Sequence, residues 1–323
     1  MRMRIDVPRR MMVVGGAGFV GHHLVGRLVR DGHEVVVVDD FSRGSRAHLA
    51  GLDSARLRIV EADVTEPDVL GPVLEQACPE VIFHLAAIHF IPYCAAHPSE
   101  TLRVNVLGTQ HLLDALAVVP TARVVIASTA DVYAPAATPH VEDDPVTAAN
   151  VYGVSKLTCE HLLALARRRH PQARFLAARL FNVFGRGETN PHVLPDILAW
   201  MRRGEPLRLG NLEPRRDYVH GSDVADAFVR LAGYDGSHTV FNVGTGIGTS
   251  VGELVATLAA VCGRRLEIRQ DPAKVRPVER PHLVADATRL REVLGWQPRV
   301  DLRAGLRDLL DAEPAAARLE AVG

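Results

Sequence analysis

Seven residues near the start of the chain, GGAGFVG at positions 15–21, restrict its fold more than any other feature. They lie between a β-branched and aliphatic run at 11–14 and an amphipathic stretch of helical length at 20–30. Gly15, Gly18 and Gly21 at this spacing permit a tight turn, close approach of backbone to a ligand, and close helix–strand packing, three places where a Cβ would intrude. The helix that follows offers unpaired N–H groups to an anion. A strand, a glycine turn and a helix in this order predict a dinucleotide with its pyrophosphate at the turn.

The rest of the first half keeps the same rhythm. Apolar runs at 34–38, 57–60, 81–85, 123–127 and 174–180 alternate with helical periodicity at 67–78, 98–119 and 150–169. Repeated βαβ units of this kind predict an α/β fold, a Rossmann-type doubly wound parallel sheet. After residue 184 the pattern breaks into segments rich in Gly, Pro and Arg, read as a smaller C-terminal substrate-binding lobe. The expected division is 1–184 for the dinucleotide-binding domain, its core starting at 11, and 185–323 for the substrate lobe, with some segments returning to the first domain.

Composition narrows the partners. With 47% hydrophobic and 23% charged residues and a formal net charge of −1, the chain has globular composition and no cationic surplus for nucleic acid or an anionic membrane. No apolar run approaches the roughly 20 residues of a membrane helix, and the stretch after Arg9 and Arg10 is too short for a signal peptide. A cytoplasmic protein is expected. Cys78, Cys94, Cys159 and Cys262 are scattered without a CxxC pair, so neither disulfides nor a metal is indicated.

The second strand ends at Asp39, 18 residues beyond Gly21, where a carboxylate accepts hydrogen bonds from an adenosine ribose and repels a 2′-phosphate. This favours NAD over NADP, although Arg43 close behind is able to attract that phosphate. Asp63, after the third strand, is placed either to reach the adenine or to remain a solvated loop residue.

Tyr152 and Lys156 stand four apart in YGVSK on a predicted helix, so both head groups share one face. An ammonium beside a phenol favours the phenolate, drawing its pKa down from about 10 toward the range of a general base. Lys156 is one of only two lysines in the chain. Upstream, ASTADVYA runs off the end of a predicted central strand and puts Thr129 at the carboxyl edge of the sheet, where open α/β folds bind ligands.

At this point GGAGFVG, Asp39, HLAA at 84–87, the Ser128/Thr129 segment, YGVSK and RDYVHGSDVA together resemble the extended short-chain dehydrogenase/reductases that act on nucleotide sugars. The resemblance spans nearly the whole chain, with Val14 standing where the family often has Thr. It implies Thr129, Tyr152 and Lys156 as the catalytic triad. It implies cofactor contacts from Gly15, Gly18, Phe19, Val20, Gly21, Asp39, Asp40, Ser42, Gly44, Asp63, Val64, Leu85, Ala86, Ala87, Asn105, Tyr152 and Lys156, with Asn105 standing behind the triad. It implies substrate contacts from His89, Thr129, Ala130, Asp131, Asn182, Arg186, Asn190, His192, Arg216 and Arg276. Guanidinium forks at Arg216 and Arg276 suit a diphosphate.

The triad does not by itself select a reaction. Dehydratases of this type resemble one another in carrying Asp then Glu after the threonine, where Ala130 and Asp131 stand here. Alanine cannot donate a proton to a leaving hydroxide. A UDP-hexose or UDP-hexuronate 4-epimerase is therefore the leading expectation. A 4,6-dehydratase or a UDP-glucuronate decarboxylase is the alternative, and a non-catalytic NAD-binding regulator is disfavoured. Leu283 is expected to leave room at sugar C2, Arg186 to read a C6 carboxylate, and segments 98–119 and 150–169 to form a homodimer interface.

Overall fold

A computed structural model describes residues 7–188, 190–275 and 280–312. The first half runs β1 (Arg10–Val14), α1 (Phe19–Arg30), β2 (Glu34–Asp39), β3 (Leu57–Glu61), α2 (Leu70–Ala77), β4 (Val81–His84), α3 (Ile91–Ala96), α4 (Pro98–Leu102), α5 (Gly108–Ala115), β5 (Arg123–Thr129), α6 (Val151–Arg169) and β6 (Arg174–Leu180). The second half continues with β7 (Asn182–Phe184), α7 (Val193–Arg203), β8 (Leu207–Leu209), β9 (Arg215–His220), α8 (Gly221–Ala232), β10 (Val240–Val243) and β11 (Gly248–Ser250). Then come α9 (Val251–Cys262), β12 (Ile268–Gln270), β13 (His282–Leu283), α10 (Thr288–Leu294) and α11 (Leu302–Ala312).

Seven strands form one parallel sheet in the order β10-β6-β5-β4-β1-β2-β3. Strand alternation sends Met11 and Val13 of β1 into one core, with Leu24, Leu28 and Phe228 of α1 and α8. Met12 and Val14 enter the other, with Leu74, Leu112 and Leu163 of α2, α5 and α6. Burial on both faces is why β1 and β2 read as unbroken apolar runs. Strand order reverses between β1 and β4, and a crevice opens there at the carboxyl ends of the strands.

All six predicted strands are present. The expected helix over 98–119 is instead segmented: α4, a π-helical turn at Arg103–Leu107, α5 and a 3-10 turn at Leu116–Val118. The π turn carries buried Asn105, whose side chain is bonded within the protein. The seventh strand, β10, was not legible as a strand. It is four residues long and pairs with β6 from a glycine-rich stretch of the second half.

β6 and β7 are nearly one strand, broken at Phe181, where the chain leaves the large sheet and joins a smaller one built on β9. β9 pairs with β11 antiparallel and with β13 and β7 parallel. A separate core containing Ile197, Leu198, Leu254 and Leu258 lies under this sheet. The break carries Asn182 and Phe184 to the cavity that opens at the crevice.

Candidate active site

A cavity of about 1230 Å³ occupies the crevice and extends to the second lobe. This exceeds the ~300–1,000 Å³ of an ordinary small-ligand pocket. Its dinucleotide end is built by the glycine turn. Gly15 has φ +80°, and a Cβ there would lie 2.4 Å from the Ala86 nitrogen; a Cβ on Gly21 would lie 2.2 Å from the Gly15 carbonyl. At Gly18 the nearest atom to a Cβ would be 3.4 Å away, so the protein itself has room for a Cβ there and the glycine keeps the cavity floor open. Gly18 is the N-cap of α1 and no side chain caps the helix, which leaves the first-turn N–H groups for an anion. Asp39 accepts from the backbone nitrogens of Ala17 (2.8 Å) and Phe41 (2.9 Å), one on each oxygen, and still borders the cavity. Burial raises its pKa.

Phe19, Val20, Asp40, Ser42, Gly44, Asp63, Val64, Leu85, Ala86 and Ala87 all border the cavity. Asp63 also caps the Thr65 nitrogen at 2.8 Å. Arg43, read as a possible anchor for a 2′-phosphate, lies 4.1 Å above the Tyr93 ring and pairs with Glu100 at 3.6 Å. His84 turns away from the cavity and bonds the Thr109 hydroxyl at 3.0 Å, so the HLAA wall begins at Leu85.

Asn105 stands behind the triad, as the resemblance implied, and only its place among the cofactor contacts is corrected. It does not border the cavity but lies behind it, 1% exposed. Its Oδ1 accepts from the Ile88 nitrogen (2.8 Å), and its Nδ2 donates to the Ile88 carbonyl (2.9 Å) and to Ser155 Oγ (2.9 Å). With these bonds made, it clamps the loop after β4 to α6 rather than touching a cofactor.

YGVSK does more than present a pair of head groups. The Asn150 side chain caps α6 by accepting from the Gly153 nitrogen at 2.8 Å. A Cβ on Gly153 would meet the Asp131 carbonyl at 2.6 Å, so glycine there lets the helix start pack on the turn that follows Thr129. Ser155 donates to the Tyr152 carbonyl (2.7 Å) and receives the Asn105 amide. Tyr152 and Lys156 thus meet Thr129 in the cavity. The predicted lowering of the Tyr152 pKa does not occur. Burial pushes the phenol well above the ordinary tyrosine range and the Asp131 carboxylate adds to it, while a hydrogen bond from the Thr129 hydroxyl pulls the other way. Burial also lowers the Lys156 pKa.

His89, Ala130, Asp131, Asn182, Asn190, His192, Arg216 and Leu283 border the cavity, whereas Arg276 lies outside the described residues. Arg186 is a second correction. It reaches the cavity wall, but its guanidinium is held by both carboxylate oxygens of Asp308 (2.6 and 2.8 Å) and by the Asp308 carbonyl, so it is not presented to a C6 carboxylate. Two residues were missed. Arg280 is 7% exposed and donates to the carbonyls of Asp131 (3.1 Å) and Ala130 (3.4 Å), bracing the Thr129 turn from the second lobe. Tyr218 shares the cavity face of β9 with Arg216, which the two-residue period of a strand would have revealed.

A doubly wound sheet with an open glycine turn at its switch point, and a Thr–Tyr–Lys cluster facing that turn, defines a dinucleotide-dependent enzyme of the Rossmann class. The chain belongs to the NAD dependent epimerase/dehydratase family, whose match covers residues 11–244. It is 37% identical over 306 residues to the UDP-glucose 4-epimerase of Mycolicibacterium smegmatis, covering 92% of this chain and 96% of that protein. The UDP-glucose 4-epimerase of Thermotoga maritima, solved with UDP-glucose, superimposes with a TM-score of 0.86 at 28% identity, over 93% and 97% of the two chains. MoeE5, solved with UDP-glucuronic acid and NAD, superimposes with a TM-score of 0.82 at 33% identity, over 92% and 96%. NAD is the cofactor of this chain. Among the described residues no helix is long and apolar enough to cross a membrane.

Proposed function

We propose that the protein is an NAD-dependent 4-epimerase of a UDP-hexose or UDP-hexuronate. The observation that carries this reading is one cavity joining the glycine turn, the Thr129–Tyr152–Lys156 cluster and the Arg216 side of the second lobe, with Ala130 where an elimination would need an acid. When bound, NAD would supply an acceptor and returning donor for the C4 hydride. Tyr152 takes the 4-hydroxyl proton, and Thr129 bridges the two oxygens by hydrogen bonding. Lys156 holds positive charge behind the phenolate, opposing the burial that keeps Tyr152 protonated in the free protein. Arg216 binds the diphosphate, assisted by Asn190 and His192, and leaves the sugar free to turn between the two hydride transfers.

Support for the sugar nucleotide comes from the relatives, which include enzymes named for UDP-glucose and a structure holding UDP-glucuronic acid. The decisive experiment incubates purified protein with UDP-glucose, UDP-glucuronate and UDP-N-acetylglucosamine in turn and separates the products. The 4-epimer alone supports the proposal. Accumulated 4-keto-6-deoxy sugar or released carbon dioxide replaces it with a dehydratase or a decarboxylase.

For assembly we propose a homodimer through the 98–118 segment and α6, supported by Leu102, Leu107, Val154 and Leu165, large apolar side chains that remain exposed there. Light scattering tests it: a monomer at micromolar concentration refutes it. The four free cysteines are consistent with placement in the cytoplasm.

A further inference from the structure

The cavity wall holds a cluster for which a proton and hydride transfer has no need. His89 comes from the loop after β4, and Glu188 and His192 from the segment before α7. One ligand atom from each lies within 4.8 Å of the other two, and all three residues are half-buried. Nothing in the spacing of the sequence announced them, because His89 meets the other two only when the second lobe sits against the sheet edge.

Their chemistry is that of a metal site. His89 and His192 each offer a ring nitrogen and Glu188 a carboxylate oxygen. The His89 Nε2 receives the Asn190 side-chain amide at 3.1 Å, so Nε2 carries a lone pair. A neutral imidazole whose Nε2 lone pair faces a cavity can bind a metal ion through that nitrogen. Glu188 adds a carboxylate, an anionic oxygen ligand, to the two imidazoles. The Asn190 amide donates to both His89 Nε2 and Glu188 Oε1, each at 3.1 Å, and so places its two N–H groups between ligand atoms from two of the three residues.

We propose that His89, Glu188 and His192 form a binding site for a divalent transition-metal ion of the zinc class, with the Asn190 amide standing in for the ion in its absence. Two imidazoles and one carboxylate suit zinc or cobalt rather than magnesium or calcium, which take oxygen ligands. Metal bonds of about 2.0–2.1 Å put tetrahedral ligand atoms about 3.3 Å apart, so the set must close by at most about 1.5 Å, within reach of side-chain torsions once the amide swings out. Because the cavity borders all three residues, the fourth position is open to water or to a ligand oxygen.

The test needs no substrate and so is independent of the proposed reaction. Tag-free protein, treated with chelator and dialysed, is titrated with Co²⁺ and followed by visible d–d absorption, with Zn²⁺ measured by calorimetry. One ion per chain is expected. His192→Ala and Glu188→Gln lower the affinity about tenfold or more, while retaining bound NAD and the wild-type melting temperature. Asn190→Ala, which removes the competing donor, leaves the affinity equal or raises it. The site is refuted by the absence of saturable one-to-one binding. It is refuted equally by binding that survives both His192→Ala and Glu188→Gln, which would put the ion elsewhere, for instance at the neighbouring rings of His22, His23 and His48. Loss of affinity in Asn190→Ala equal to that in His192→Ala refutes the stand-in role.

Discussion

Asn105→Ala isolates the clamp behind the active site. The substitution removes three hydrogen bonds, but they are unequal. Ser155 Oγ loses a donor to itself yet keeps its own bond to the Tyr152 carbonyl at 2.7 Å, so its loss is small. The Ile88 nitrogen is stranded in a residue that is 4% exposed, at about 1–3 kcal/mol, whereas the Ile88 carbonyl keeps a weak donor, the Cys94 thiol at 3.6 Å. The expected destabilisation is therefore about 1–3 kcal/mol, a substantial share of the ~5–15 kcal/mol that holds a typical protein folded. Asn105→Asp keeps the acceptor for the Ile88 nitrogen but sets a carboxylate oxygen against the Ile88 carbonyl 2.9 Å away, so at neutral pH it should be no milder than alanine. Urea unfolding followed by circular dichroism measures both. Turnover should fall as well, because the clamped loop carries Ala87 and His89 of the cavity wall and Ser155 lies between Tyr152 and Lys156. A loss below about 1 kcal/mol in the alanine variant, or wild-type stability in the aspartate variant, would refute the reasoning.

Four further outcomes are expected. Tyr152→Phe retains bound NAD, measured by releasing it on denaturation, and loses turnover by orders of magnitude; near-normal turnover excludes Tyr152 as the proton acceptor. Asp131→Asn removes a negative charge that raises the Tyr152 pKa, so the rising limb of a rate profile that needs the phenolate should move to lower pH; an unmoved limb shows that another group titrates. Arg186→Ala, its guanidinium bound to exposed Asp308, should change KM for UDP-glucose and UDP-glucuronate by the same factor, and a selective loss on the uronate would show that the pairing opens when substrate binds. Burial raises the pKa of Asp226, but Arg230 and Arg27 outweigh it and hold the carboxyl below 3.8. That stabilisation is present above the unfolded value of 3.8 and fades as pH falls through the folded one. The stability gap between wild type and Asp226→Asn, read from urea unfolding, should therefore be full at pH 7 and shrink below about pH 4.

What the sequence determined by itself was whatever depends on neighbours along the chain. A glycine turn is specified by residues within seven positions, a parallel strand by its own apolar run, and the Tyr152–Lys156 pair by the 3.6-residue period of one helix. These were legible together with their consequences, the parallel sheet and the crevice at its carboxyl edge. Side-chain partners drawn from distant segments were not. Arg186 read as a free cation until α11 delivered Asp308 to it, and Asn105, read as standing behind the triad, found its partners Ile88 and Ser155 only through a π turn. Tyr152 read as an acidified phenol because a sequence shows the charge four residues away but not the desolvation imposed by the surrounding fold. β10, too short to declare itself, became a strand only because β6 offered it an unpaired edge. Local periodicity encodes which face of an element is buried; the partner that a buried polar group finds on that face, and the pKa it acquires there, exist only after the lobes have closed on one another.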